Sequence, residues 1–159
     1  MNESRRSEGM SLIVRTVSGW VKGFILLYGI YIILYGHLTP GGGFSGGVIA
    51  ASAFVLIVLA EGEAAGLKTF SRKAASTWDS VGVLLFLVMA GLGLILAGTF
   101  FVNFWVTDES AHFTLFSSGI IPACNIGIGL KVCSSLYLVF VVLTAMHLDL
   151  KPDGKGENP

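Results

Sequence analysis

From Val81 to Phe104 the chain carries no charged side chain. That run exceeds the roughly 20 apolar residues a helix needs to cross the hydrocarbon core of a bilayer. Lipid gives backbone amides no hydrogen-bonding partner, so a spanning run of this kind must be helical. The stretches Leu12–Tyr35 and Lys131–Leu148 are similarly apolar. Over 159 residues, 53% are hydrophobic and 13% charged, and the mean hydropathy is +0.78. This composition belongs to an integral membrane protein rather than a small soluble domain. Ten basic and ten acidic side chains cancel, leaving no net field to draw in a nucleic acid. The lipid bilayer is the expected environment and no nucleic-acid partner is expected.

The segment Gly36-His37-Leu38-Thr39-Pro40-Gly41-Gly42-Gly43-Phe44-Ser45-Gly46-Gly47 interrupts this pattern. Pro40 fixes its own φ and pushes Thr39 out of the α region, so the first helix should stop near here. Gly41, Gly42 and Gly43 can take backbone angles closed to other residues and allow another backbone to approach closely. The run that follows, Gly46–Ala60, is short for a span, which would place part of the glycine turn at membrane depth. Irregular backbone is tolerated there only against protein or beside water. A close contact with a neighbour, with Phe44 as a packing anchor, or an ion path is therefore expected. A phosphate cradle is disfavoured, because Gly46-Gly47-Val48 stands where a P-loop needs Gly-Lys-Ser/Thr.

Taken in order, the chain reads as an all-α integral membrane protein of about four transmembrane helices, with Gly/Pro-broken segments before helices 2 and 4. A polar N-terminus, residues 1–11, precedes a membrane domain over 12–148 and a polar tail over 149–159. The expected helices are Leu12–Tyr35, Gly46–Ala60, Trp78 or Val81 to Phe104, and Lys131–Leu148. Residues 61–77 read as a polar loop, and Gly91, Gly93 and Gly98 as small surfaces for helix association. Asp79 is expected to meet the positive end of the third helix's dipole. Arg5, Arg6, Arg15 and Lys22 flank the first helix. Lys68, Arg72 and Lys73 lie between the second and third, and Lys151 and Lys155 follow the fourth. Since the other connections hold no Lys or Arg, the positive-inside rule puts both termini and the 61–77 segment in the cytoplasm. No cleavable signal peptide is expected at the N-terminus.

Lys131 is the one cation well inside the second apolar half. It lies near mid-membrane if the fourth helix begins at Ser118 or Gly119, and near an interface, where it can snorkel, if Pro122–Gly129 is a partial turn. An ion-path role and a structural role both remain open. A lysine at depth needs a carboxylate or carbonyl partner. With no acidic residue of this chain at matching depth, that partner is expected in another subunit. Cys124 and Cys133 match no metal spacing and read as free buried thiols. His37 and His112 lie at one face and His147 at the other, so no metal site and no cofactor site is expected. Glu61, His147 and Asp149 could meet at the cytoplasmic face.

The run from His37 to Val48, HLTPGGGFSGGV, resembles the signature of the B subunit of Mrp-type (Mnh-type) multisubunit Na+/H+ antiporters. Phe113–Leu130, FTLFSSGIIPACNIGIGL, resembles that family's second shared region. His37, Pro40, Gly41, Gly42, Gly43, Phe44, Gly46 and Gly47 match the first motif. Phe116, Gly119, Pro122, Asn125 and Gly129 fall in the second. The resemblance implies a small accessory membrane subunit without catalytic residues, working among other membrane subunits of a bacterial or archaeal cell membrane in transport of Na+ and H+. Relatives of this subunit also occur in membrane-bound hydrogenase-like respiratory complexes, which makes membership in such a complex the second reading. An independent homo-oligomeric channel is a third reading.

Overall fold

Ser11 opens the first helix, its hydroxyl accepting from the Val14 N–H, which satisfies one of the donors a helix start leaves orphaned. The computed structural model describes residues 11–38, 40–103 and 118–150, with side chains as far as Met146. Five helices follow in order: α1 (Leu12–Leu34), α2 (Gly42–Glu61), α3 (Glu63–Thr69), α4 (Arg72–Ala97) and α5 (Ile121–Leu150). Four stretches, α1, α2, α4 and Ile121–Met146 of α5, are long and apolar enough to cross a membrane. The protein is an all-α integral membrane protein with four spans.

Three helix boundaries differ from expectation, each for a local reason. α2 starts at Gly42 rather than Gly46, so the glycines supply its first turns and restore a full span. Glycine costs about 1 kcal/mol per residue in a helix, a loss offset by the close packing these positions allow. The expected 61–77 loop holds α3 and the beginning of α4. There the Ser71 hydroxyl accepts from the Ala74 N–H at 3.2 Å and caps α4. α4 ends at Ala97, short of Phe104, because Gly98 adopts φ 76° and turns the chain out of the helix.

The expected break before the fourth span is absent. α5 runs without interruption from Ile121 through Pro122, Gly127 and Gly129. Pro122 is its second residue, where a missing N–H costs nothing because that group would be orphaned anyway. Asn103 prepares this start: its Oδ1 accepts from the Ile120 N–H at 3.0 Å, and its Nδ2 donates to the Ser118 carbonyl at 3.1 Å.

Contacts between named residues set the arrangement. Lys22 meets Glu61 and Gly29 meets Ala50, so α1 and α2 are antiparallel. Gly43 lies on Asn125 and Gly47 on Gly129, so α2 and α5 run parallel. α4 packs antiparallel on α5, through Gly82 on Gly127 and Asp79 on Lys131. α2 is the most enclosed span, held by α1 on one side and α5 on the other.

The core gathers where α3 and the start of α4 fold under α2 and α5. Tyr137 and Val141 are fully buried with Ala75 and Val58. The rings of Phe54, Phe70 and Tyr137 pack with centroids 5.0, 5.2 and 6.0 Å apart. The Tyr137 hydroxyl donates to the Phe70 carbonyl at 2.8 Å, satisfying a polar group that the fold encloses. Tyr137→Phe should keep the ring and lose that bond, lowering stability by about 1 kcal/mol. Thermal unfolding of the detergent-purified chain measures it, and an unchanged midpoint would mean the bond contributes nothing.

Candidate functional site

Gly82 of α4 and Gly127 of α5 let these two helices nearly touch. A Cβ on Gly82 would lie 2.6 Å from the Gly127 carbonyl oxygen and 2.7 Å from the Lys131 backbone nitrogen. The glycines read as small surfaces for helix association, Gly91, Gly93 and Gly98, take no part in this crossing within the chain. Gly91 has nothing within 4 Å of a built Cβ, Gly93 faces the backbone of Phe101 and Val102, and Gly98 terminates α4.

One turn from this crossing the close approach brings together two charges far apart in sequence. The Lys131 ammonium donates to both Asp79 carboxylate oxygens, at 2.6 and 2.7 Å. The Ser135 hydroxyl, one turn beyond Lys131 on α5, donates to Asp79 Oδ1 as well. Two expectations are corrected here. Asp79 is not a cap at the start of its helix; α4 begins at Arg72, which carries Asp79 about 10 Å along it at 1.5 Å per residue. Nor does Lys131 lack a carboxylate within the chain, since Asp79 stands at its depth. With α5 starting at Ile121, Lys131 sits about 15 Å into that helix, well inside a span. The side chains remain 41% exposed for Lys131 and 24% for Asp79. A recess of about 150 Å³ opens beside the pair, lined by Gly82, Val83, Phe86, Gly127, Ile128 and Lys131.

The glycine turn forms a second cluster. Gly41 and Gly42 take φ of 119° and 63°, angles that disfavour a side chain. Asn125 Oδ1 accepts from the Gly43 N–H at 3.3 Å, so an amide that an anion would need is already spent. A Cβ on Gly43 would collide with the Asn125 carbonyl oxygen, and one on Gly46 would stand 2.8 Å from the Ile33 nitrogen. A Cβ on Gly47 would lie 2.8 Å from the Gly129 carbonyl oxygen. The close contact expected of these glycines is therefore made inside the chain, against α1 and α5. Phe44 is 64% exposed and makes no enclosed contact within the chain. His37 is half-buried in the turn after α1, and Pro40 is exposed.

Beyond these clusters, Lys22 is paired with Glu61 at 2.9 Å and Arg72 with Glu63 at 2.9 Å. Glu61 thus has a partner in α1; the side chains of His147 and Asp149 lie outside the described residues. So do those of His112 and Phe116. Cys124 and Cys133 are free and half-buried rather than enclosed. Among the described residues, no three His, Cys, Asp or Glu side chains converge. A larger cavity of about 260 Å³, bounded by residues of all four spans including Leu26, Phe54, Trp78 and Cys133, is almost wholly apolar.

The fold and the ion pair define a polytopic helical membrane protein that keeps a charged pair inside its spans. A family described as a domain related to the MnhB subunit of Na+/H+ antiporter matches residues 13–138, and the chain belongs to that family. It is 35% identical over 152 residues to an uncharacterized protein of Methanocaldococcus jannaschii, covering 91% of this chain and 56% of that relative. It is 39% identical over 97 residues to the B subunit of the Na(+)/H(+) antiporter of Bacillus subtilis, covering 61% of this chain and 57% of that relative. Among solved structures it is similar to a chain of the membrane-bound sulfane sulfur reductase, an archaeal respiratory membrane complex. That match has a TM-score of 0.67 and 30% identity, and covers 87% of this chain and 60% of the other. The chain thus spans little more than half the length of these two curated relatives.

Proposed function

We propose that this chain is an accessory membrane subunit of a multisubunit monovalent cation/proton antiporter, joining neighbouring subunits and shaping or lining an ion path for Na+ and H+. It contributes no catalytic or redox centre of its own. The observation that carries this reading is the Lys131–Asp79 pair: a charged pair on partly exposed side chains inside the spans of an MnhB-family chain. Lipid does not tolerate such a group uncovered, whereas a neighbouring subunit or a hydrated path does. The likeness to the sulfane sulfur reductase complex supports a second reading, a membrane subunit of a redox-driven, ion-pumping complex.

Extraction in mild detergent followed by mass spectrometry separates the two. Antiporter-type membrane subunits alone support the first, and co-purifying subunits with iron–sulfur ligands support the second. A chain that purifies only with copies of itself overturns both.

In a bacterial or archaeal cell membrane, the basic residues favour cytoplasmic termini. The exposed positions Thr69 and Thr99 lie beyond opposite ends of the spans. Single cysteines there, in a background lacking Cys124 and Cys133, should be labelled from opposite sides. An impermeant maleimide added to intact cells should reach position 99 and miss position 69; the reverse result would invert the topology.

A further inference from the structure

We infer that the α4/α5 seam at Lys131 is a docking face for a transmembrane helix of a different subunit, which seats an apolar side chain in the recess at Gly82 and Gly127 and offers a neutral oxygen to the Lys131 ammonium. This rests on the multisubunit reading above and names the surface and chemistry of one contact within it.

The polar half of the contact follows from counting donors. An ammonium has three N–H groups. Asp79 takes two, one on each oxygen, and among the described residues no further acceptor meets the third, on a side chain 41% exposed about 15 Å into α5. A lipid tail could fill the recess but has nothing to accept this donor. Charge then selects the acceptor. Lys131 and Asp79 cancel, and Ser135 is neutral and already donates to Asp79. A carboxylate from the partner would leave a net negative charge at depth, and a second copy of this chain applying the same seam would bring two ammonium groups together. A hydroxyl or carbonyl oxygen satisfies the donor without either penalty.

The apolar half follows from the glycines. Beside the Gly82–Gly127 contact lies an almost wholly apolar recess of about 150 Å³, with Lys131 in its lining. Its rim includes Val83, which is 47% exposed. A partner segment that covers the seam and faces lipid on its far side must be helical, since lipid-exposed irregular backbone is excluded there. A helix crossing the seam can offer an apolar side chain to the recess and, one turn away, an oxygen to Lys131.

The test uses the full complex in native membranes, with a diazirine-bearing amino acid placed at Val83 and, separately, at Ile128. Both positions should form adducts with the same partner subunit, identified by mass spectrometry. The Asp79→Asn, Lys131→Met double variant keeps the site neutral and leaves no charge stranded. In it the chain's abundance should hold within about twofold while adduct yield falls about tenfold, the equivalent of one hydrogen bond from a charged donor. Lys131→Arg should retain most of the adduct. Adducts with lipid alone, adducts with a second copy, or an unchanged yield in the double variant would each overturn the inference. If other subunits co-purify but both positions label only lipid, this contact is wrong and the multisubunit reading stands. If none co-purifies, both fall.

Discussion

Placing valine at Gly43 is expected to leave little folded chain in the membrane, whatever other subunits are present. The Cβ would strike the Asn125 carbonyl oxygen, with the carbonyl carbon at 2.9 Å. Both are backbone atoms, and no rotamer change can move them aside. α2 would have to part from α5, losing the Gly43–Asn125 hydrogen bond and the neighbouring contact of Gly47 with Gly129. Overpacking of side chains alone costs about 1–3 kcal/mol, and a backbone collision at a helix crossing exceeds that. Gly91→Ala provides the contrast. Nothing lies within 4 Å of its Cβ, so the chain should be unchanged or up to about 1 kcal/mol more stable from improved helix propensity. Fluorescence-detected size exclusion and thermal unfolding of each variant measure both effects. A Gly43→Val chain that elutes and melts like the parent would show that α2 and α5 do not meet at this point.

The second large effect is expected at the ion pair. Lys131→Met strands the Asp79 carboxylate, and Asp79→Asn strands the ammonium. A charge without its partner inside a span costs about 2.5–3.5 kcal/mol, so each single variant should melt well below the parent. The double variant should recover most of that loss, within about 1 kcal/mol, because the remaining groups are neutral and well matched in size. The coupling between the two positions is then at least about 2 kcal/mol, far above the few tenths expected of independent sites. Simple additivity of the two losses would mean that the residues do not pair. Cation-dependent proton flux in vesicles, normalised to assembled complex, adds the functional side. If the pair belongs to an ion path, the double variant stays folded and loses flux.

Lys131 shows why part of this site was legible in the chain and part was not. Its exceptional position, one cation between Leu130 and Val132, is visible by inspection, and so is its need for a partner. The identity of that partner depends on where α4 begins. Starting that helix at Trp78 makes Asp79 a capping residue; starting it at Arg72 carries Asp79 two turns inward. Ser71 followed by a run of good helix formers was the available signal for the earlier start. Asn125 and the pair Gly82/Gly127 were harder to find as contacts. Their roles rest on atoms brought close by helix crossings, and no local pattern encodes which faces cross.

The number of spans, the helical class and the significance of the glycine run follow from the chain alone. They express properties of single segments: apolar length against bilayer thickness, and the backbone freedom that glycine brings. Whether those glycines bent a turn or began a helix, and what they touched, was settled by tertiary packing. The free energy that makes glycine acceptable in the first turns of α2 comes from α1 and α5, which pack on it through Ile33 and Asn125. The same holds for the charges. Composition requires a membrane lysine to be neutralised, but only the antiparallel crossing of α4 and α5 decides that Asp79 neutralises it.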